Sequence, residues 1–112
     1  MKVRLTAALC GVSMLIAFSP IAHAQSGIAS IYSGEKTANG EYASAGRLTA
    51  AHKSLPFGTR VRVTNRHNGR SVVVRINDRG PYIRGRIIDL TPAGARALGF
   101  SGLAHVEVRP LG

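Results

Sequence analysis

The sequence predicts a small, mainly β barrel carrying one short helix in a single domain. Three observations carry that reading. The chain has 112 residues, room for one compact unit. Short runs of alternating apolar and polar residues recur between turn residues, and many short strands in so short a chain favour closure into a barrel. A single segment, after Thr91, has the capping and composition of a helix. Hydrophobic residues make up 45%, too many for intrinsic disorder. Glycine and proline interrupt every stretch that a coiled coil would need. A single cysteine, Cys10, excludes a disulfide-stapled miniprotein.

The elements follow in chain order. Met1 to Ala24 reads as a secretory leader: Lys2 and Arg4 give a positive start, Leu5 to Phe18 an apolar stretch, and Ala22-His23-Ala24 an A-x-A cleavage site. The stretch is about 14 residues, short of the roughly 20 that a membrane span needs. Leu9 before Cys10 does not make a lipidation box, so no stable membrane anchor is expected. The folded domain is then Gln25 to Gly112. Gly27 to Ser33 alternates and stops at Gly34. Thr37 to Pro56 has no periodicity and is expected to be a functional loop. Thr59 to Thr64 alternates cleanly, with Val61 and Val63 on one face and Arg60 and Arg62 on the other. Asn68-Gly69 supplies a hairpin signal, and Ser71 to Ile76 is apolar on both faces at its centre. Arg86 to Leu90 is a further strand. Thr91 caps a helix that Pro92 opens and Gly99 stops, and Ala104 to Arg109 closes the chain as a strand.

The formal net charge is +10, from 15 basic and 5 acidic residues. Loss of Lys2 and Arg4 with the leader barely changes that balance, so the partner is expected to be an anionic polymer. Export and few aromatics argue against nucleic acid. Outside the inner membrane the abundant polyanions are the cell wall, teichoic acids and lipopolysaccharide. The periplasm or the exterior is therefore the expected location, and the protein is expected to be a monomer.

With so few carboxylates each can be weighed. Glu41 lies after Gly40 in the long loop, and Asp78 lies just beyond an apolar strand, where polar residues line clefts. His52 sits between small residues in the same loop. Two carboxylates and a histidine supply what glycosidic cleavage requires, a proton for the leaving oxygen and a group that takes or steers a proton at the sugar. Glu41 has no cation beside it in sequence, whereas Asp78 precedes Arg79; on that argument Glu41 is the acid and Asp78 the ionised base or stabiliser. The bland readings stand beside these: Asp78 capping its turn and pairing with Arg79, Glu41 a solvated loop charge, and His52 a packed loop histidine. Asp89 is expected to be structural, tying down Arg86. No ligand spacing supports a metal, no cofactor is implied, and no G-x-S-x-G elbow offers a serine nucleophile.

Gly27-Ile28-Ala29-Ser30-Ile31-Tyr32, Thr37-Ala38-Asn39-Gly40-Glu41, Leu48-Thr49-Ala50-Ala51-His52, Asn77-Asp78-Arg79-Gly80-Pro81 and Arg86-Ile87-Ile88-Asp89-Leu90-Thr91 together resemble the rare lipoprotein A (RlpA) family. The resemblance runs from Gly27 to Pro110. It implies a six-stranded double-psi β-barrel similar to that of expansins and barwin-like proteins. It implies endolytic lytic transglycosylase activity on peptidoglycan: cleavage of the β-1,4 bond between N-acetylmuramic acid and N-acetylglucosamine, leaving a 1,6-anhydro-muramyl end. It further implies a preference for peptide-stripped glycan strands. Glu41, His52 and Asp78 match the family's catalytic positions, and Asn39, Arg79 and Tyr82 beside them are expected to bind substrate. In that chemistry the muramyl C6 hydroxyl attacks C1, with Glu41 expected to donate the proton, Asp78 to stabilise the cation or accept the C6 proton, and His52 to orient them.

Two departures stand out. Relatives often carry a lipid anchor and a sporulation-related glycan-binding repeat, which this chain lacks up to Gly112, and many show a Trp near Tyr32. The basic face with Arg60, Arg62, Arg66 and Arg70 is expected to take over part of the glycan binding. The alternatives from other classes are a non-catalytic, expansin-like glycan binder and an inhibitor or interaction protein.

Overall fold

A computed structural model describes residues 23–112; the leader, including Cys10, lies outside the described residues except for its last two positions. Six strands and one helix follow in order: β1 (Gln25–Ile31), β2 (Thr49–Ala51), β3 (Arg60–Asn65), β4 (Ser71–Asp78), β5 (Arg86–Leu90), α1 (Pro92–Leu98) and β6 (Ala104–Pro110). The strands close into a barrel in the order β1-β5-β2-β4-β3-β6. β1 runs parallel to β5 and β2 parallel to β4, while the other four pairings are antiparallel. Closure leaves no unpaired edge.

Period-2 alternation decides what faces inward. Val61 and Val63 of β3, Val74 and Ile76 of β4, Ile88 and Leu90 of β5, and Val106 and Val108 of β6 fill the interior together with Ala29, Ala50 and Leu98. Each of the large side chains buried there contributes roughly 1.5–3 kcal/mol. The Ile87 side chain of β5 packs over Gly27 of β1: a Cβ there would meet Ile87 Cγ2 at 2.7 Å, so a larger residue would have to displace it.

The helix forms as its ends dictate. Thr91 Oγ1 accepts the Gly94 N–H, Pro92 occupies the first turn, and Gly99 turns left-handed at φ 76°. Asn65 and Asn68 of the β3–β4 hairpin donate to the Leu98 carbonyl, and Arg70 donates to that of Arg96, so this hairpin satisfies the helix C-terminus.

The sequence-based elements are recovered with ends shifted by one or two residues, with one exception. Residues expected to be loop between Thr37 and Pro56 include β2, three wholly buried residues that pair with both β4 and β5. The rest of that stretch is ordered by its own bonds. Gly34 N–H reaches Ala43 O, Ala43 N–H reaches Glu35 O and Thr37 N–H reaches Glu41 O; Ala43 and Thr37 are buried beneath the loop.

Candidate active site

The site forms where this loop lies on the C-terminal end of β4. Odd-numbered residues of β4 face outward, so Arg75 and Asn77 project from the barrel wall beneath the loop. Glu41 Oε1 accepts from Arg75 Nη2 and Asn77 Nδ2, both at 2.9 Å. Next to it, Ala38 N–H donates to Asp78 Oδ1 at 2.8 Å, and Asn39 N–H reaches Asn77 O. The loop is therefore pinned to consecutive residues, Asn77 and Asp78, and the two carboxylates predicted as catalytic share one junction. Glu41 also lines a cavity of about 240 Å³ with Tyr42, Ser44 and Arg47.

The charge state of Glu41 is set by partners that lie far from it in sequence. Hydrogen bonds from Asn77, then Arg75 and Asn39, hold the Glu41 carboxyl down at about 2, so it is ionised at neutral pH. Glu41 has no cation beside it in sequence, but Arg75 supplies one from 34 positions away. Conversely, the Arg79 guanidinium does not pair with the Asp78 carboxylate. It donates to the carbonyls of His52 and Leu55 at 3.2 and 2.8 Å and stacks over the Phe57 ring at 4.1 Å. Asp78 Oδ1 takes the N–H groups of Ala38 and Arg79, both at 2.8 Å, and Oδ2 has no hydrogen-bond partner among the described residues.

His52 joins this junction through its backbone, not its ring. Its N–H donates to Asp78 O at 3.1 Å. The ring is 3% exposed, with Nδ1 accepting from the N–H groups of Ser54 and Leu55. That fixes the proton on Nε2, which donates to Gln25 Oε1 at 2.8 Å. Burial first, then Arg79 and Lys53, pushes the His52 ring down from its ordinary value, so it stays neutral. Its side chain lines a different cavity, of about 230 Å³, with Gln25, Ser54 and Leu55.

The expected substrate-binding residues divide. Asn39 Oδ1 accepts from Thr37 Oγ1 and from Glu41 N–H, shaping the loop around Glu41. Arg79 is committed to loop carbonyls. Tyr82 is 75% exposed just beyond the cis Gly80-Pro81 bond. Asp89 accepts from Ser30 Oγ on the neighbouring strand, and not from Arg86 as expected. Four residues were not foreseen: Arg75, Asn77, Gln25 and Tyr32. The Tyr32 hydroxyl is buried without a partner among the described residues, and burial, followed by the charges of Asp78, Asp89 and Glu35, pushes it up.

A six-stranded closed barrel with this strand order defines a fold class that known proteins share. The chain belongs to the lytic transglycolase family, whose model matches residues 24–109. Within it, a protein of Nostoc sp. named probable endolytic peptidoglycan transglycosylase RlpA is 60% identical over 94 residues, 77% of this chain and 25% of its own length. The endolytic peptidoglycan transglycosylase RlpA of Pasteurella multocida is 52% identical over 92 residues, 77% of this chain and 31% of that protein. The chain thus spans about a quarter to a third of these curated relatives. Among solved structures, the Streptomyces papain inhibitor superposes with a TM-score of 0.66 at 22% identity, covering 83% of this chain and 98% of the inhibitor. The Clavibacter michiganensis expansin gives 0.62 at 25% identity, covering 80% and 51%. The fold is the double-psi β-barrel expected from the sequence.

Proposed function

We propose that this protein is an exported lytic transglycosylase that cuts the β-1,4 bond between N-acetylmuramic acid and N-acetylglucosamine in peptidoglycan. The observation that carries it is the junction itself: an ionised Glu41 and an Asp78 with one free oxygen, held by the same loop. Relatives named for this activity support the substrate class. The leader read from Met1 to Ala24 and a wall substrate both favour the periplasm or exterior as the place of action.

The assignment of roles follows the bonding. Asp78 Oδ1 is occupied by two backbone donors, which leaves Oδ2 to carry the proton that the reaction needs. From there it passes to the glucosamine O4 as the bond to muramyl C1 breaks. Glu41, held negative, stabilises the oxocarbenium-like centre at C1. The muramyl C6 hydroxyl then attacks C1 and yields its proton to Asp78 Oδ2, which restores the acid and consumes no water. His52 is a positioning residue, because both ring nitrogens are engaged and only its backbone reaches Asp78.

The purified protein is incubated with intact sacculi and with peptide-free glycan, and products are read by mass spectrometry. Anhydro-muramyl ends are expected from the wild type. Asp78→Asn is expected to lower the rate by about 100-fold or more, and Glu41→Gln by roughly 100-fold. Wall pelleting without anhydro products would instead establish a glycan-binding module of the expansin kind.

A further inference from the structure

The outer wall of the barrel beside the site carries a pattern that folding alone disfavours. Arg60 of β3 lies directly opposite Arg75 of β4, and Arg62 of β3 lies directly opposite Arg109 of β6. Opposed residues on a sheet share a face and sit close together, where like charges repel. Val61 and Val63 are buried while Arg60, Arg62 and Arg109 are exposed, so all of these arginines lie on the outside. Among the described residues the only ion pair is Arg75–Glu41. Among the described residues Arg60, Arg62 and Arg109 form no ion pair and no side-chain hydrogen bond. Glu107 shares the outer face of β6, opposite Thr64, without pairing to any of them.

We infer that this arginine row binds the free lactyl carboxylates of a peptide-stripped glycan strand and leads that strand into the cleft. The inference rests on the proposed activity and assigns its substrate preference to named residues. Continuity is the first argument: the row begins at Arg75, which holds Glu41, so a polymer lying along it reaches the junction. Spacing is the second. From β4 to β6 the row crosses two inter-strand gaps, roughly 10 Å, close to the length of one disaccharide repeat, and each repeat carries one lactyl group. Chemistry is the third. A lactyl carboxylate is an anion only when the stem peptide is gone, because the peptide converts it to a neutral amide. Guanidinium forks match a carboxylate in two parallel hydrogen bonds, so the row distinguishes stripped from substituted strands by whether the anion sits directly on the sugar's lactyl group, since a stem peptide's own carboxylates lie farther from the sugar.

The test measures binding of the full protein to peptide-free glycan strands, and to the same strands with their carboxylates converted to methylamides. Product formation is scored in the same samples. Wild type is expected to bind the free-acid strands at least tenfold more tightly. The double variant Arg62→Gln/Arg109→Gln is expected to lose that discrimination while melting no lower than wild type, since the opposed charges are gone. Arg62→Lys/Arg109→Lys is expected to restore it in part. Equal binding to both strands, unchanged discrimination in the double variant, or preferential displacement by a glycerol-phosphate polymer would each overturn the assignment. Discrimination without anhydro products would retain the row and refute the transglycosylase. Products without discrimination would do the reverse.

Discussion

Glu41 and His52 show how little a residue's sequence neighbours say about its charge state. Glu41 is flanked by Gly40 and Tyr42, yet Asn77 and Arg75 hold its carboxyl at about 2. A depressed carboxyl adds its contribution above the unfolded value of 4.5 and loses it as the pH falls toward 2. The loop should therefore release Glu41 only as the pH approaches 2. A carbon-detected NMR titration is expected to give a midpoint near 2, moving up in Arg75→Gln; an ordinary midpoint in the wild type would contradict the pairing. His52 has the opposite chemistry and the same sign. Its folded value lies below 6.5, so its contribution is complete above 6.5 and declines as the pH falls through the folded value. The melting temperature of the wild type should fall on acidification below 6.5. In His52→Gln the slope just below 6.5 should flatten, with a starting stability lower by about 1–3 kcal/mol from the lost buried hydrogen bonds.

At the scale of elements, what could be read in the sequence depended on local pattern. β3 and β6 alternate cleanly, and α1 carries Thr91, Pro92 and Gly99 at its ends, so these were legible. β2 was not, because three buried residues have no period to detect and owe their strand geometry to β4 and β5 on either side. The site divides similarly. Glu41 and Asp78 stood out as scarce carboxylates beside turns, but their partners Arg75 and Ala38 come from distant segments, and only the folded loop brings them together. Gln25, which accepts the hydrogen bond from His52 Nε2, lies 27 residues from it in the first strand. Thr91 joins these scales. Its hydroxyl caps α1 and also donates to Arg47 O, while its N–H reaches Thr49 O. Thr91→Ala removes the cap and leaves a loop carbonyl unsatisfied, so it should cost about 1–2 kcal/mol, measurable by urea denaturation. Because Arg47 lines the cavity with Glu41, the same variant should also increase proteolysis within residues 38–48, whereas a mere capping loss would leave that loop protected.

For the whole molecule the dominant fact is an excess of positive charge, +10 over the full sequence and +8 once Lys2 and Arg4 leave with the leader, with one ion pair among the described residues. A closed barrel cannot spread such charge by fraying an edge, so repulsion falls on paired strands, most directly on Arg60 opposite Arg75 and Arg62 opposite Arg109. Each opposed pair costs roughly 0.2–1 kcal/mol. Salt shortens the screening length from about 10 Å at 0.1 M to about 3 Å at 1 M, which relieves repulsion between exposed guanidiniums. Raising sodium chloride from 0.05 to 0.5 M should therefore stabilise the fold by about 1 kcal/mol, or roughly 4–8 °C in melting temperature for a domain of this size. The same salt should weaken binding to peptide-free glycan, since it screens the attraction for which the charges are placed. Opposite signs in the two measurements are what a surface selected for an anionic strand requires. If melting temperature and glycan affinity fell together, the arginines would be stabilising the barrel and not the substrate.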